Sequence, residues 1–381
     1  MYSLMADGRE VARSAADDIA FVPGSSLLER VNCAASGSIT LLPGNPFQDY
    51  IALRRSEITI ERAGRELFRG QAVDRLENEQ GFVKFSILSD LSYLRDGLIA
   101  PFTFTGNAVT LIGQLLTEYN AQVATARQIS RGTIGKTGLG TSMSYTLTSW
   151  RSAWDIISEL VNQYGGFLRL RTGSGGARLL DWLDDSGHFA SQSILWGDNL
   201  LSLSVRQDAT GVVNSIRATS GQDLSILVED AASIAQYGLV RVHRSYVAET
   251  AAQLTTLAQK DLAAMQAAAV QISGMAWDKW RDEEGAEPFC VGDFAQTVDP
   301  THRIDQWIMI SELRHDLTGG TPEQVTLGAM PKSLTRSERS GVINTWIIST
   351  QGRAPTPVYA IDVNERYAVD EDGVYGVAKG A

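Results

Sequence analysis

A chain of 381 residues with 44% hydrophobic and 20% charged side chains has the composition of a folded protein, and its length predicts two to four packed units rather than one core. The 33 basic and 44 acidic side chains leave a net charge of -11, which argues against wrapping nucleic acid, because phosphate binding needs clustered Lys and Arg. Met1 to Glu10 carry charges where a secretory leader needs an apolar core, and no apolar run approaches the ~20 residues that span a bilayer, so the expectation is a protein made and assembled in the cytoplasm with no membrane-spanning segment.

From about residue 10 to 95 the text is strand-like. Ser38-Ile39-Thr40-Leu41-Leu42, Ser56-Glu57-Ile58-Thr59-Ile60-Glu61 and Phe82 to Leu88 alternate apolar with polar residues, separated by turn signals at Pro43-Gly44-Asn45 and Ala63-Gly64. Short antiparallel strands must curl or pair to hide their edges, which predicts a first small β-barrel over residues 1–98. The period then lengthens. Val109, Ile112, Leu116 and Tyr119 recur at helical spacing, as do Trp154, Ile157, Val161 and Tyr164. Ser152 with Asp155 reads as a capping box and Gly165 as a left-handed helix stop. Phe167 to Arg171 and Arg178 to Leu183 follow as a hairpin around Thr172-Gly173-Ser174-Gly175-Gly176, making an α/β domain over 99–197.

Strand text resumes from Leu200 to Ile216 and returns in Phe294 to Val298 and Trp307 to Ile310, giving a second β-barrel over 198–245 and 270–330. An alanine-rich helix with Leu254, Ala258, Leu262 and Met265 on one face interrupts it as a helical insertion over 246–269. The fold class is therefore α+β: two small barrels, an α/β domain and a helical insertion. A C-terminal tail over 331–381 completes the chain. In it Pro355-Thr356-Pro357 makes a stiff step, and Tyr359-Ala360-Ile361, Tyr367-Ala368-Val369 and Tyr375-Gly376-Val377 repeat at a spacing of eight, with Asp362 and Asp370 in matching places. So short a repeat cannot bury its aromatics alone, so Tyr359, Ile361, Tyr367, Val369, Tyr375 and Val377 are read as a trimer interface, one strand per repeat in an intertwined β-prism.

The candidate chemistry is sparse. Gly135-Lys136-Thr137 looks like the end of a phosphate-binding loop, but that pattern needs a glycine where Ser130 stands, and no strand is expected to lead into it; it reads as a polar loop. Asp181, Asp184, Asp185 and His188 are the nearest approach to a metal or acid/base cluster, and read as solvated residues at a hairpin end. The four histidines, His188, His243, His302 and His315, stand in no metal-ligand spacing, and Cys33 and Cys290 read as two buried thiols. No catalytic, cofactor or metal site is expected.

The pieces together resemble one family. Asn32 to Gly70, with Gly37-Ser38-Ile39-Thr40, Asn45-Pro46-Phe47 and Glu66-Leu67-Phe68-Arg69-Gly70, looks like the opening barrel of the siphophage tail-associated hub family, often labelled the prophage endopeptidase tail family. In the same order follow Asp90 to Asp96 leading to Pro101, Ala153 to Ile157, Asn162 to Leu170, Leu180 to Asp184, Gly197 to Leu201, Phe289 to Asp293 and Val325 to Gly328. The resemblance spans residues 10 to 330 and implies a baseplate-hub-like structural protein without a C-terminal hydrolase. It further implies a homotrimer at the distal tail tip of a virion, whose ring meets the distal tail protein, the tape measure protein and tail fibre or receptor-binding components while DNA passes its lumen. Two other readings stand beside it: a tail-tip peptidoglycan hydrolase using Asp184 or Asp185 with His188, and the hub of a contractile tail or secretion apparatus.

Overall fold

Alternation along the first hundred residues becomes a curled set of strands. The computed structural model describes residues 2–14, 19–62, 64–136, 143–221, 223–246, 250–283, 286–328, 367–369 and 375–377. β1 (Tyr2–Ala6), β2 (Arg9–Arg13), β3 (Ser26–Arg30), β4 (Ser36–Leu41), β5 (Ile58–Arg62), β6 (Arg65–Glu77) and β7 (Val83–Ser89) enclose one apolar core. In β1 and β5 every second residue is buried, the period of a sheet with one face inward. That phase carries Ile58, Ile60 and then Arg62 into the interior. At the Pro43-Gly44-Asn45 turn Gly44 takes a φ of 74°, which glycine adopts without steric cost.

The second unit contains β8 (Leu98–Ile99), β9 (Phe102–Gly106), α1 (Ala108–Asn120), β10 (Ile129–Ile134), β11 (Met143–Leu147), β12 (Arg151–Ser152), α2 (Ala153–Tyr164), β13 (Phe167–Thr172) and β14 (Arg178–Leu183). The Ser152 hydroxyl accepts the Asp155 amide at 3.1 Å to start α2, and Gly165 ends it at a φ of 75°. β14 lies in the middle of a three-stranded sheet, parallel to β10 and antiparallel to β13. Val109 is exposed, against the expectation for α1. The buried stripe runs instead through Ala108, Leu111, Ile112, Leu115, Leu116 and Tyr119, the set that recurs at both three and four residues. This core also takes Leu91, Tyr93 and Leu94, so it draws on residues ahead of the expected boundary at 98.

β15 (Ile194–Leu195) and β16 (Leu200–Asp208) begin the next core, which Ala190 and Ile194 already join. The chain then leaves it for β17 (Ser215–Ser220), β18 (Leu224–Glu229), α3 (Ala231–Tyr237), β19 (Arg241–Ser245) and α4 (Ala251–Met265), and returns in β20 (Ala269–Ala276), β21 (Phe294–Asp299), β22 (Ile304–Asp316) and β23 (Glu323–Leu327). The insertion is thus larger than one helix. β17, β18 and β19 form a sheet of their own, and Leu254, Ala258, Leu262 and Met265 of α4 are buried with Ile216 and Ala218 of β17. A one-sided apolar helix needs an apolar sheet face, and the strands expected in the barrel over 198–245 supply it here.

The two barrels are not separate sheets either. A single 13-stranded sheet follows the order β16-β20-β23-β22-β3-β4-β7-β6-β5-β1-β2, with β21 branching from β22 and β15 from β21. β22 makes the connection: its first half pairs with β21, and its second half, from Glu312 to Asp316, pairs with Arg30 to Ser26 of β3. Two apolar cores persist on this shared sheet because each barrel curls about its own inward residues.

The second unit of the chain is described at two strands. Within it β24 (Tyr367–Val369) pairs antiparallel with β25 (Tyr375–Val377), Tyr367 opposite Val377 and Val369 opposite Tyr375. Two of the repeats thus pair with each other within the chain. Tyr359 and Ile361 lie outside the described residues.

Candidate functional site

The seam between the two barrels is polar at its centre. Arg62, inward on β5, donates to Asp278 at 2.8 Å and to Glu323 at 3.4 Å, with all three side chains almost fully buried. Arg281 adds a donor to Glu323 at 2.6 Å, and the Tyr2 hydroxyl another at 3.3 Å. His315 sits between two carboxylates, its Nε2 3.1 Å from Glu29 and its Nδ1 3.7 Å from Glu323. Gln192 donates to the second oxygen of Asp278 at 2.6 Å, and the Arg62 guanidinium lies over the Trp280 ring at 4.7 Å. Burial opposes charge on His315, but hydrogen bonds to Glu29 and Glu323 outweigh it and raise its pKa to about 9. Burial likewise opposes ionisation of Glu323, yet His315 and Arg281 hold it down to about 2. Three cations thus meet three anions, a composition that rigidifies a joint, although Nη2 of Arg62, Nε of Arg281 and Oε2 of Glu323 are buried without a hydrogen-bond partner.

A second junction ties the first barrel to the α/β unit. Arg178 bonds Asp90 at 3.1 Å and Glu57 at 2.5 Å, and Arg127 bonds Asp96 at 2.9 Å, both guanidiniums lying over the Tyr93 ring. Burial pushes the Asp90 carboxyl up to about 6 against the pull of Arg178 and Arg69. Beside this junction opens a cleft of about 940 Å³, walled by the start of β6, the end of β3, the whole of β13 and the segment around Cys290. On the sheet behind it, Asp181 of β14 is fully buried. It accepts the Thr133 amide at 2.7 Å and the Nε groups of Arg169 and Arg171 at 3.0 and 2.8 Å. Although burial opposes ionisation, these donors hold its carboxyl below the ordinary range.

With this geometry in view, comparison with solved structures is decisive for the fold. The chain is similar to the 43 kDa tail protein of prophage MuSo2 from Shewanella oneidensis, with a TM-score of 0.61 at 13% identity over 86% of this chain and 97% of that one. It is similar to the tail protein from Neisseria meningitidis MC58, with a TM-score of 0.62 at 14% identity over 86% and 96%. It also resembles prophage tail protein gp18 from Listeria monocytogenes EGD-e, at 0.57 and 12% identity over 88% and 96%. The fold is that of the phage tail proteins. No family model and no curated protein matches the sequence.

Within this tail-protein fold the residues singled out from sequence are dispersed. Asp181 is buried rather than solvated, because it faces inward on β14 and two arginines and a backbone amide replace its water. Asp184 bonds Lys136 at 2.7 Å, and Asp185 accepts the Gly187 amide. His188 instead meets Asp293 at 2.9 Å and Glu287 at 3.4 Å, so the proposed pairing of His188 with Asp184 or Asp185 does not form. A strand, β10, does lead into Gly135-Lys136, contrary to expectation, but the amides of both residues are bonded to the Trp182 carbonyl and so face no phosphate. Thr137 lies outside the described residues. Cys33 is exposed and Cys290 half-buried, so the two are not a buried pair; both are free thiols, and burial pushes Cys290 up to about 12. Thr219 meets His243, and Asp299 meets His302. Among the described residues no group of three or more His, Cys, Asp or Glu side chains is arranged to hold a metal ion, and no helix is long and apolar enough to cross a membrane. The polar joint was missed in the sequence, although Arg62 at the inward phase of an alternating strand was its visible sign.

Proposed function

We propose that this chain is a structural component of a phage tail, the hub of its distal tip, acting as a homotrimer and not as an enzyme. The observation that carries the reading is the correspondence of fold with three tail proteins, two of them from prophages, over most of this chain and nearly the whole of those. A chain with two barrel cores on one continuous sheet suits a threefold ring that presents six similar edges to a sixfold tube. The ionic joint would keep the two barrels of each chain at a constant angle. The net charge of -11 per chain would repel DNA passing the lumen. In this reading the ring joins the distal tail protein above to fibre or receptor-binding components below, and the tape measure protein ends on it. The hairpin of Tyr367, Val369, Tyr375 and Val377 would then lie at the trimer axis, and the α4 face would hold the insertion's own helix and sheet together.

The test is the purified tail tip. Quantitative mass spectrometry and electron microscopy are expected to find three copies in a ring at the distal end. A copy number other than three overturns the trimer, and absence of the chain from tails overturns the structural assignment. Zymography on purified cell wall is expected to show no clearing, and a clear band would refute the non-enzymatic reading.

A further inference from the structure

β13 is an edge strand whose backbone pairs, among the described residues, with no strand on its outer side, while Arg69 and Glu66 of β6 bond only the Thr172 hydroxyl at its end. It is the last strand of the sheet β10-β14-β13, and all six of its residues line the cleft. At its start the edge is already used as a pairing surface: Asn32 accepts the Leu168 amide at 2.7 Å and donates to the Gly166 carbonyl at 2.9 Å, imitating a neighbouring strand. Since the Leu168 amide points outward, the period of two turns the amides of Leu170 and Thr172 outward as well. No strand among the described residues pairs with this edge.

One face of the same strand is charged in an unusual way. Arg169 stands directly opposite Asp181 in the β13–β14 ladder and Arg171 lies two residues on, so the three share a face. Both guanidiniums reach Asp181 through Nε, both onto the same oxygen, Oδ2, and both side chains remain more than 40% exposed. Their Nη groups are left for a further acceptor, and two cations share one carboxylate, an excess of one positive charge. The arrangement is built: a Cβ on Gly132 would meet the Asp181 carboxylate at 2.1 Å, so a glycine is required for the acid to sit there. Two forks held side by side match carboxylates better than a mobile lysine would.

We propose that the β13 edge is a docking strip for an extended segment of a partner protein with carboxylates at alternate positions, which adds to the sheet as a fourth strand. Backbone hydrogen bonds to Leu170 and Thr172 would supply the pairing. An acidic side chain opposite Arg169 or Arg171 would stand on the same face, its Cβ about 5 Å away, within reach of the free Nη groups. A nucleic acid fits poorly, because a phosphodiester chain carries no alternating amides and carbonyls to pair with the edge amides of Leu170 and Thr172. The inference does not depend on the tail assignment, which copy number at the tip tests separately.

The experiment uses the full chain and an acetylated, amidated hexapeptide of alternating valine and glutamate. Calorimetric titration is expected to show saturable binding of one peptide per chain, with hydrogen-exchange protection of Leu170 and Thr172. The valine and lysine counterpart is expected not to bind. N-methylation at alternate residues of the glutamate peptide, which leaves the protein untouched, is expected to weaken it at least about tenfold, as is the R169K/R171K variant, which keeps the charge over Asp181 but removes the forks. Absence of saturable binding overturns the proposal. So does equal binding of the lysine peptide or of the N-methylated peptide. Full displacement of the peptide by inorganic phosphate, without protection of β13, would reduce the strip to a simple oxyanion site and overturn it too.

Discussion

Replacement of Glu323 by glutamine tests whether the polar seam holds the two barrels together. The carboxylate is fully buried, and its Oε1 serves Arg281 at 2.6 Å, Tyr2 at 3.3 Å, Arg62 at 3.4 Å and His315 at 3.7 Å. Glutamine preserves the shape and removes the charge. Arg62 keeps Asp278, but Arg281 loses its only ion pair among the described residues and His315 loses one of two. Removing one member of a buried pair costs about 3–5 kcal/mol, against about 0–1 kcal/mol for an exposed pair. Urea unfolding of Glu323→Gln should therefore show a loss of about 3–5 kcal/mol. Hydrogen exchange should quicken first in β22 and β23. Adding Arg281→Gln removes the stranded cation, so the double variant should be less destabilised than the sum of the two singles. A loss under about 1 kcal/mol, or strict additivity, would refute the view that the seam is a coupled ionic joint.

Three further outcomes are expected. His315 has a folded pKa of about 9 against an ordinary 6.5, so its contribution to stability is complete below pH 6.5 and lost as pH rises through about 9; Glu323, lowered from 4.5 to about 2, contributes above pH 4.5 and ceases to do so as pH falls toward 2. Urea midpoints across pH should show both limbs, and His315→Gln should abolish the alkaline one. Leu262→Asp would put a charge into the core shared by α4 and β17, and should melt the insertion with a loss of about 3–5 kcal/mol while near-ultraviolet circular dichroism of the barrels persists. Gly132→Ala would drive a methyl group into the Asp181 carboxylate and should lower thermal stability by about 1–3 kcal/mol, an effect absent if Asp181 can swing away.

Much of the architecture was legible because it is local. The hydroxyl cap at Ser152, the glycine stop at Gly165 and the hairpin glycines at 175 and 176 act within a few residues, and their physics is complete in the sequence. The buried face of α4 was equally visible, since helical spacing alone puts Leu254, Ala258, Leu262 and Met265 in line. What covers that face was not, because β17 is just another alternating strand until tertiary pairing separates it from the barrel. The same holds for the joint. Tyr2 and Glu323 are 321 residues apart, and Arg62 and Asp278 are 216 apart. No spacing rule links them, and only the pairing of β22 with β3 brings the two barrels close enough for their inward charges to meet. Asp181 makes the same point on a smaller scale: its place on β14 was read correctly as a strand position, but whether water or two arginines would surround it was decided by β10 and β13 closing on either side. Sequence determined several of the strands and helices and most of the faces they turn inward, as at β5, α2 and α4, though not β10 or α3; the tertiary structure decided the partners, because buried charge is tolerated only where distant chain segments deliver its counter-charge.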